Sequence, residues 1–260
     1  MSPQTDSPEI YSGKAKDPAD IILGIYDKHA IQAALQIKET KDEEVHITAV
    51  SLCSKFGEKI LIEALAMGCD EVLRIDNEQA GILDPFNVAK VLSKAVEKFD
   101  HYDLLLFGMQ GYHLGTATVP PIVAELLGLP CACRVEHIVF EDNKILVRKE
   151  IDNGTQTSRL SLPAVLSVTT ACDYDERKYT SMKKLAAAKK RNIPVWTLEE
   201  LKIDAERLKS TVEIEQVIVP KEKDTGCLVF KDEAVDVMVE KLVETLKSKG
   251  LNIPIDLGGE

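Results

Sequence analysis

The chain has no apolar run approaching 18 residues and no secretory-type leader. Neither a membrane span nor export is therefore expected, and the reading is a cytoplasmic protein without membrane insertion. A basic surplus is missing too: 32 Lys and Arg stand against 43 Asp and Glu, a net charge of −11. That balance argues against nucleic acid or an anionic membrane as the main partner. Nucleophile elbow, P-loop and metal-ligand spacing are all absent. The five histidines (29, 46, 101, 113 and 137) are scattered, and His46 and His137 fall in strand-like rhythm as structural residues. Six cysteines in 260 residues make no disulfide framework and are expected reduced and mostly buried. Cys131 and Cys133 are expected on opposite faces of a strand, a poor arrangement for a metal. These absences point away from a catalyst.

What is present centres on Tyr102 to Gly128, YDLLLFGMQGYHLGTATVPPIVAELLG. Leu104 to Phe107 is short and apolar, as a buried strand is. Gly108, Gly111 and Gly115 follow, then Thr116 and Thr118, then an apolar helical pattern at Val119, Ile122, Val123, Leu126 and Leu127. Strand, glycine-rich turn and helix start bring backbone N–H groups and the positive helix end to one point, where phosphate binds well. An ordinary strand-to-helix turn fits the same residues. Pro120 and Pro121 carry no N–H, which makes Thr118 the better N-cap and leaves a phosphate to Thr116, Ala117, Thr118 and Val119.

Residues 1–20 are polar, with Pro3, Pro8 and Pro18, and show no strand-like run. A helix is expected from Asp27 as N-cap, a strand over Val45–Leu52, and a helix over Phe56–Met67 stopped by Gly68. A short strand over Glu71–Ile75 and a helix from Asp84-Pro85 to Phe99 follow. This alternation implies a mainly parallel sheet covered by helices. Ligands of such sheets sit beyond the carboxyl ends of the strands, here Ser51–Lys55, Asp76–Ala80 and Gly108–Thr118. Three strand-like stretches come next (132–140, 144–151, 157–168), the first two joined by a hairpin turn at Asn143. A polar segment, 169–179, leads to a lysine-rich helix over Ser181–Arg191; the single tryptophan, Trp196, is expected to pack. Residues 202–260 read as a charged arm with a β-like run at Ile214–Val219 and an amphipathic helix from Asp232 to Lys249. Such an arm implies a partner subunit.

Several segments together resemble the beta subunit of electron transfer flavoproteins. They are YDKHAIQAALQIKE (26–39), ITAVSL (47–52), EALAMGCDEVLRID (63–76), GMQGYHLGTATVPPIVAELLGLP (108–130), VRKEIDNGTQTSRLSLPAVLSV (147–168) and YDERKYTSMKKLAAAKKRNIPVWTLEEL (174–201). The resemblance implies a Rossmann-like, adenine nucleotide alpha hydrolase-like α/β domain over residues 21–201, a mainly parallel sheet flanked by helices. It also implies an alpha-subunit partner, a FAD shared with that subunit, and AMP or a second FAD in this chain. Cofactor-binding residues would be Ser51, Leu52, Cys53, Gly108, Gln110, Gly111, His113, Gly115, Thr116, Ala117, Thr118 and Val119. The family's loop resembles GRQAIDGDTGQVGP; here its aspartates are His113 and Gly115 and its second glutamine is Thr118. Tyr174, with Glu176 and Tyr179, would meet a partner dehydrogenase such as an acyl-CoA dehydrogenase. Family members open with a central strand resembling KILVCVKQVPD, and nothing like it precedes Asp20. The first strand position is therefore expected to be empty or filled by an unrelated segment.

Two other readings share the residues. A stand-alone adenine-nucleotide-binding module of the universal-stress-protein type has the same alternating sheet but needs no C-terminal arm. An enzyme of nucleotide transfer would need catalytic residues that the sequence does not offer.

Overall fold

The computed structural model describes residues 22–41, 43–78, 83–111, 115–141, 144–169, 180–208, 210 and 228–251. It divides into two units, Met1–Val217 and Ile218–Glu260. In the larger one, helix and strand alternate as the apolar periods predict. The order is α1 (Ile25–Thr40), β1 (Thr48–Cys53), α2 (Glu58–Met67), β2 (Glu71–Asp76), α3 (Pro85–Val96), β3 (Leu104–Gly108) and α4 (Val119–Leu127). Then come β4 (Cys131–Glu141), β5 (Lys144–Ile151), β6 (Gly154–Ser161), β7 (Ala164–Val168), α5 (Met182–Ala188) and β8 (Val195–Trp196).

Local chemistry sets the helix ends. Asp84 accepts the Asn87 N–H at 2.8 Å and Pro85 occupies the first turn of α3, the arrangement expected from sequence. The end of α2 needs Gly68, whose φ of 136° is unfavourable for other residues. A Cβ there would also lie 2.9 Å from Leu35 Cδ2. The first helix differs from expectation: its N-cap is Gly24, and Asp27 falls inside the first turn.

The strands form two sheets, of order β1-β2-β8 and β3-β7-β4-β5-β6. Both β1-β2 and β2-β8 are parallel, as are β3-β7 and β4-β7. The β4-β5 and β5-β6 pairs are antiparallel. The mainly parallel α/β expectation holds, with an antiparallel extension. Strand β8 is an addition, since two residues carry no periodicity that sequence reading could detect. Its Trp196 packs on Phe99, ring centroids 5.4 Å apart, with Lys98 Nζ 4.3 Å from the indole centroid.

The division between the sheets falls between β1 and β3. Helices α1 and α2 pack against each other, α1 over β3 and β7 and α2 over β1 and β2. Likewise α3 touches β1 and α4, and α4 covers β4 and β7. The two half-sheets are thus bridged by helices, while among the described residues no strand pairs with the outer edge of β1 or β3. Burial agrees: every residue of β7 is buried, whereas every residue of β1 and β3 is only half-buried despite the apolar run. The expectation for the first strand position falls on residues 1–20, which lie outside the described residues.

The core has separate clusters. One joins Ala132, Val135, Ile145, Val147, Ala164 and Leu166. Another joins Ile75, Val91 and Ala95 to Leu201, Ile203 and Leu208. The last two correct an expected boundary. The arm expected from Lys202 holds Ile203 and Leu208, yet both are buried in the larger unit. Their charged neighbours hide the apolar spacing in sequence. The β-like run at 214–219 lies outside the described residues.

The cysteines bring a second correction. Cys131 and Cys133 do not sit on opposite faces; residues two apart in a strand share a face, and their Sγ atoms lie 3.8 Å apart. Of the four described cysteines all are free thiols, with Cys69 buried and Cys53, Cys131 and Cys133 half-buried.

In the smaller unit, α6 (Val235–Ser248) has no buried residue. Val235, Val239 and Leu242 stand exposed along it. No helix among the described residues is long and apolar enough to cross a membrane.

Candidate nucleotide site

The site forms where strand ends and helix starts meet. Helix α1 fixes the geometry. Its last turn reaches the start of β1: Lys38 Nζ contacts Asp70 at 2.6 Å, and Asp70 accepts the Ile47 N–H at 2.9 Å. Its first turn lies against Gly108, the last residue of β3. Strands β1 and β3 therefore both run opposite to α1, and their carboxyl ends, Ser51–Cys53 and Gly108, share one end of the unit.

Gly108 is required by close approach. A Cβ on it would lie 2.8 Å from the Tyr26 carbonyl carbon, 2.9 Å from the Asp27 nitrogen and 2.8 Å from Asp27 Oδ1. Two of those three obstacles are backbone, which cannot rotate away. On β1, Cys53 packs over Gly57, burial pushes its thiol pKa up, and the Ser51 hydroxyl opposes that rise by hydrogen bonding.

Beyond Gly108 the chain opens. Among the described residues nothing lies within 4 Å of the position a Gly111 Cβ would take. Gly115 donates to the Gly111 carbonyl at 3.1 Å and has φ 58°; Ala117 holds φ 55°, a conformation uncommon for alanine. These left-handed residues turn the chain into α4. Thr118 is the N-cap, as expected, but its hydroxyl does not cap the helix. It bonds the Thr116 hydroxyl at 3.0 Å instead. Residues 115–118 are exposed. With prolines at 120 and 121, Val119 supplies the N–H that helix geometry leaves without an intrahelical acceptor. Two hydroxyls, a main-chain donor, open glycine positions and a helix N-terminus are a donor set that fits one phosphate group.

The first turn of α1 is a wall that sequence reading missed, because Tyr26 and Gly108 are remote along the chain. Asp27 Oδ2 folds back toward Gly24. Asp27 keeps solvent access in its recess, yet burial lifts its carboxyl pKa from 3.8 to about 6. A carboxylate there fits hydroxyl donors such as those of a ribose. Between pH 3.8 and about 6 the folded chain retains a proton that the unfolded chain has released. The stability this group contributes is full below pH 3.8 and lost as pH rises through about 6. Asp27→Asn removes the loss, so its melting temperature relative to the parent chain should climb as pH goes from about 4 to about 7. A constant difference across that range would contradict the assignment. Solvent access keeps the expected effect small.

Of the residues singled out from sequence, Ser51, Leu52, Cys53, Gly108, Gln110, Gly111, Gly115, Thr116, Ala117 and Thr118 lie on these two strand ends and the loop that follows β3, and Val119 opens α4. His113 lies outside the described residues, as do Tyr174, Glu176 and Tyr179.

Strand order and helix cover define a Rossmann-like α/β domain, with the glycine-rich turn at its strand ends as a candidate nucleotide site. A family model for the electron transfer flavoprotein domain matches residues 19–201. The chain is 33% identical to the electron transfer flavoprotein subunit beta of Syntrophomonas wolfei, covering 92% of this chain and 90% of that protein. Subunits of the same name from Mus musculus (31% identical; 90% and 88% covered) and Bacillus subtilis (29%; 92% and 91%) match as fully. The chain belongs to the electron transfer flavoprotein family.

Proposed function

We propose that this chain is the beta subunit of a heterodimeric electron transfer flavoprotein. In this reading it joins an alpha subunit, shares that subunit's FAD and holds an adenine nucleotide of its own, AMP or a second FAD. The supporting observation is the open donor set at Gly111 and residues 115–119, at the same end of the unit as Ser51–Cys53 and the first turn of α1. The flavin, when bound, accepts and releases electrons singly or in pairs. The chain's own residues bind and orient. Thr116, Thr118 and the Val119 N–H would hold a phosphate, and Asp27 would accept from ribose hydroxyls. Gly108 lets α1 close the wall. A carrier needs no acid, base or nucleophile, which accords with a sequence that offers no catalytic constellation.

The unit over 21–201, extended to Leu208 by its buried core, is proposed as the nucleotide-binding domain. The later chain, with α6, is proposed as the arm for the alpha subunit. Docking to a dehydrogenase is assigned by resemblance to Tyr174 with Glu176 and Tyr179. Tyr174→Ala would slow reduction by that enzyme while flavin content stays constant; unchanged transfer at limiting enzyme would remove the assignment.

The test of the site is nucleotide released by heat from the purified complex. One adenine nucleotide per beta chain is expected beyond the shared FAD, and its identity decides between AMP and a second flavin. Release of FAD alone, at one per heterodimer, would leave this chain's site without its ligand.

A further inference from the structure

The thiols of Cys131 and Cys133 serve neither the nucleotide site nor the proposed arm. Their sulfurs share a hydrogen bond at 3.8 Å. Strand β4 is irregular there: its register with β7 shifts between Ala132 and Val135, and Arg134 has φ 59°. Pairing with β5 begins only at Val135. Among the described residues, residues 131–134 are thus paired along one edge only, by β7.

The two sulfurs are unequal. Hydrogen bonding from the Cys131 thiol brings the Cys133 pKa down. Burial opposes this, and the Ser167 hydroxyl and Lys149 assist it. Cys131 moves up, because it bonds to Cys133 and is partly buried. Ser167 is itself fixed, accepting the Arg134 N–H at 3.1 Å. The hydrogen bond and Lys149 thus favour the thiolate at Cys133 over Cys131, the asymmetry of an attacking and a resolving thiol.

We propose that Cys131 and Cys133 form a redox-active dithiol that closes to an intrachain disulfide on meeting a small disulfide such as oxidised glutathione. The Cys133 thiolate attacks one glutathione sulfur, the glutathione disulfide bond breaks, and one glutathione thiolate leaves. That thiolate takes the Cys131 proton. The Cys131 sulfur then attacks Cys133, expelling the second glutathione. Two cysteine thiols lose two electrons, and one glutathione disulfide becomes two thiols. A disulfide bond is about 2.05 Å long, so the sulfurs must approach by about 1.8 Å, a movement that side-chain rotation on the irregular strand allows.

The experiment exposes the purified full chain, alone and in its complex, to oxidised glutathione near neutral pH. The segment holding both cysteines is then weighed. The expected product has lost two hydrogens, carries no glutathione, and is restored by dithiothreitol. Cys131→Ser should stop at a glutathione adduct on Cys133. Cys133→Ser should react about ten-fold more slowly. As a second measurement, alkylation of Cys133 should titrate at lower pH in the parent chain than in Cys131→Ser. A lasting adduct on the parent chain would overturn the proposal. So would unreacted thiols, or a Cys133 profile unchanged by Cys131→Ser.

Discussion

Gly108→Val is expected to strip this chain of its nucleotide and to destabilise the larger unit. The branched side chain would meet the Tyr26 carbonyl carbon and the Asp27 nitrogen, both already under 3.0 Å from an added Cβ. Backbone cannot yield as a flexible side chain does, so the start of α1 must move away from β3. Overpacking of this kind costs about 1–3 kcal/mol. The displaced turn carries Asp27, so the wall of the site opens as well. A loss of about ten-fold or more in nucleotide affinity follows if as little as about 1.4 kcal/mol of the strain falls on binding. Gly108→Ala, which adds the Cβ alone, should show the same two losses in lesser degree. Denaturant unfolding and nucleotide content together check the pair. A Gly108→Val chain with normal content and an unchanged midpoint would show that α1 does not wall the site.

Deleting residues 225–260 is expected to abolish association with the alpha subunit and to leave the larger unit folded. Helix α6 presents Val235, Val239 and Leu242 at helical spacing, and none of its residues is buried. An apolar stripe of this kind is the pattern of a helix that docks into a partner's groove. Each Val or Leu buried on docking is worth roughly 1.5–3 kcal/mol, and each 1.4 kcal/mol is about ten-fold in affinity. Losing three such side chains removes several orders of magnitude. The buried cluster of Ile75, Val91, Leu201, Ile203 and Leu208 stays within the shortened chain. Its unfolding midpoint should therefore shift little. Pull-down with the alpha subunit and thermal unfolding read the two halves of this prediction. Retained association would move the contact to another surface.

Local chemistry made much of the fold legible. Asp84-Pro85 and Gly68 declared helix ends that the structure keeps, and the apolar runs at Leu104 and Ala164 declared strands. Long-range or very short features were not legible. Strand β8 has two residues and exists because β2 offers it an edge. The contact of Tyr26 and Asp27 with Gly108 depends on how α1 crosses β3. Leu201, Ile203 and Leu208 sit among charges that read as an arm. The pairing of Cys131 with Cys133 was open to sequence reading, since period-two alternation places both on one face; the misreading lay in the face count. At the site, the glycine turn was plain from its residues, whereas Asp27 could be placed there only by tertiary packing.

Co-expression with the alpha subunit from the same source, followed by purification through a tag on this chain, tests the central claim most directly. The predicted result is a yellow one-to-one heterodimer whose absorbance is that of bound flavin and bleaches on reduction. A chain that emerges alone and colourless, although the alpha subunit is present and soluble, would contradict the account.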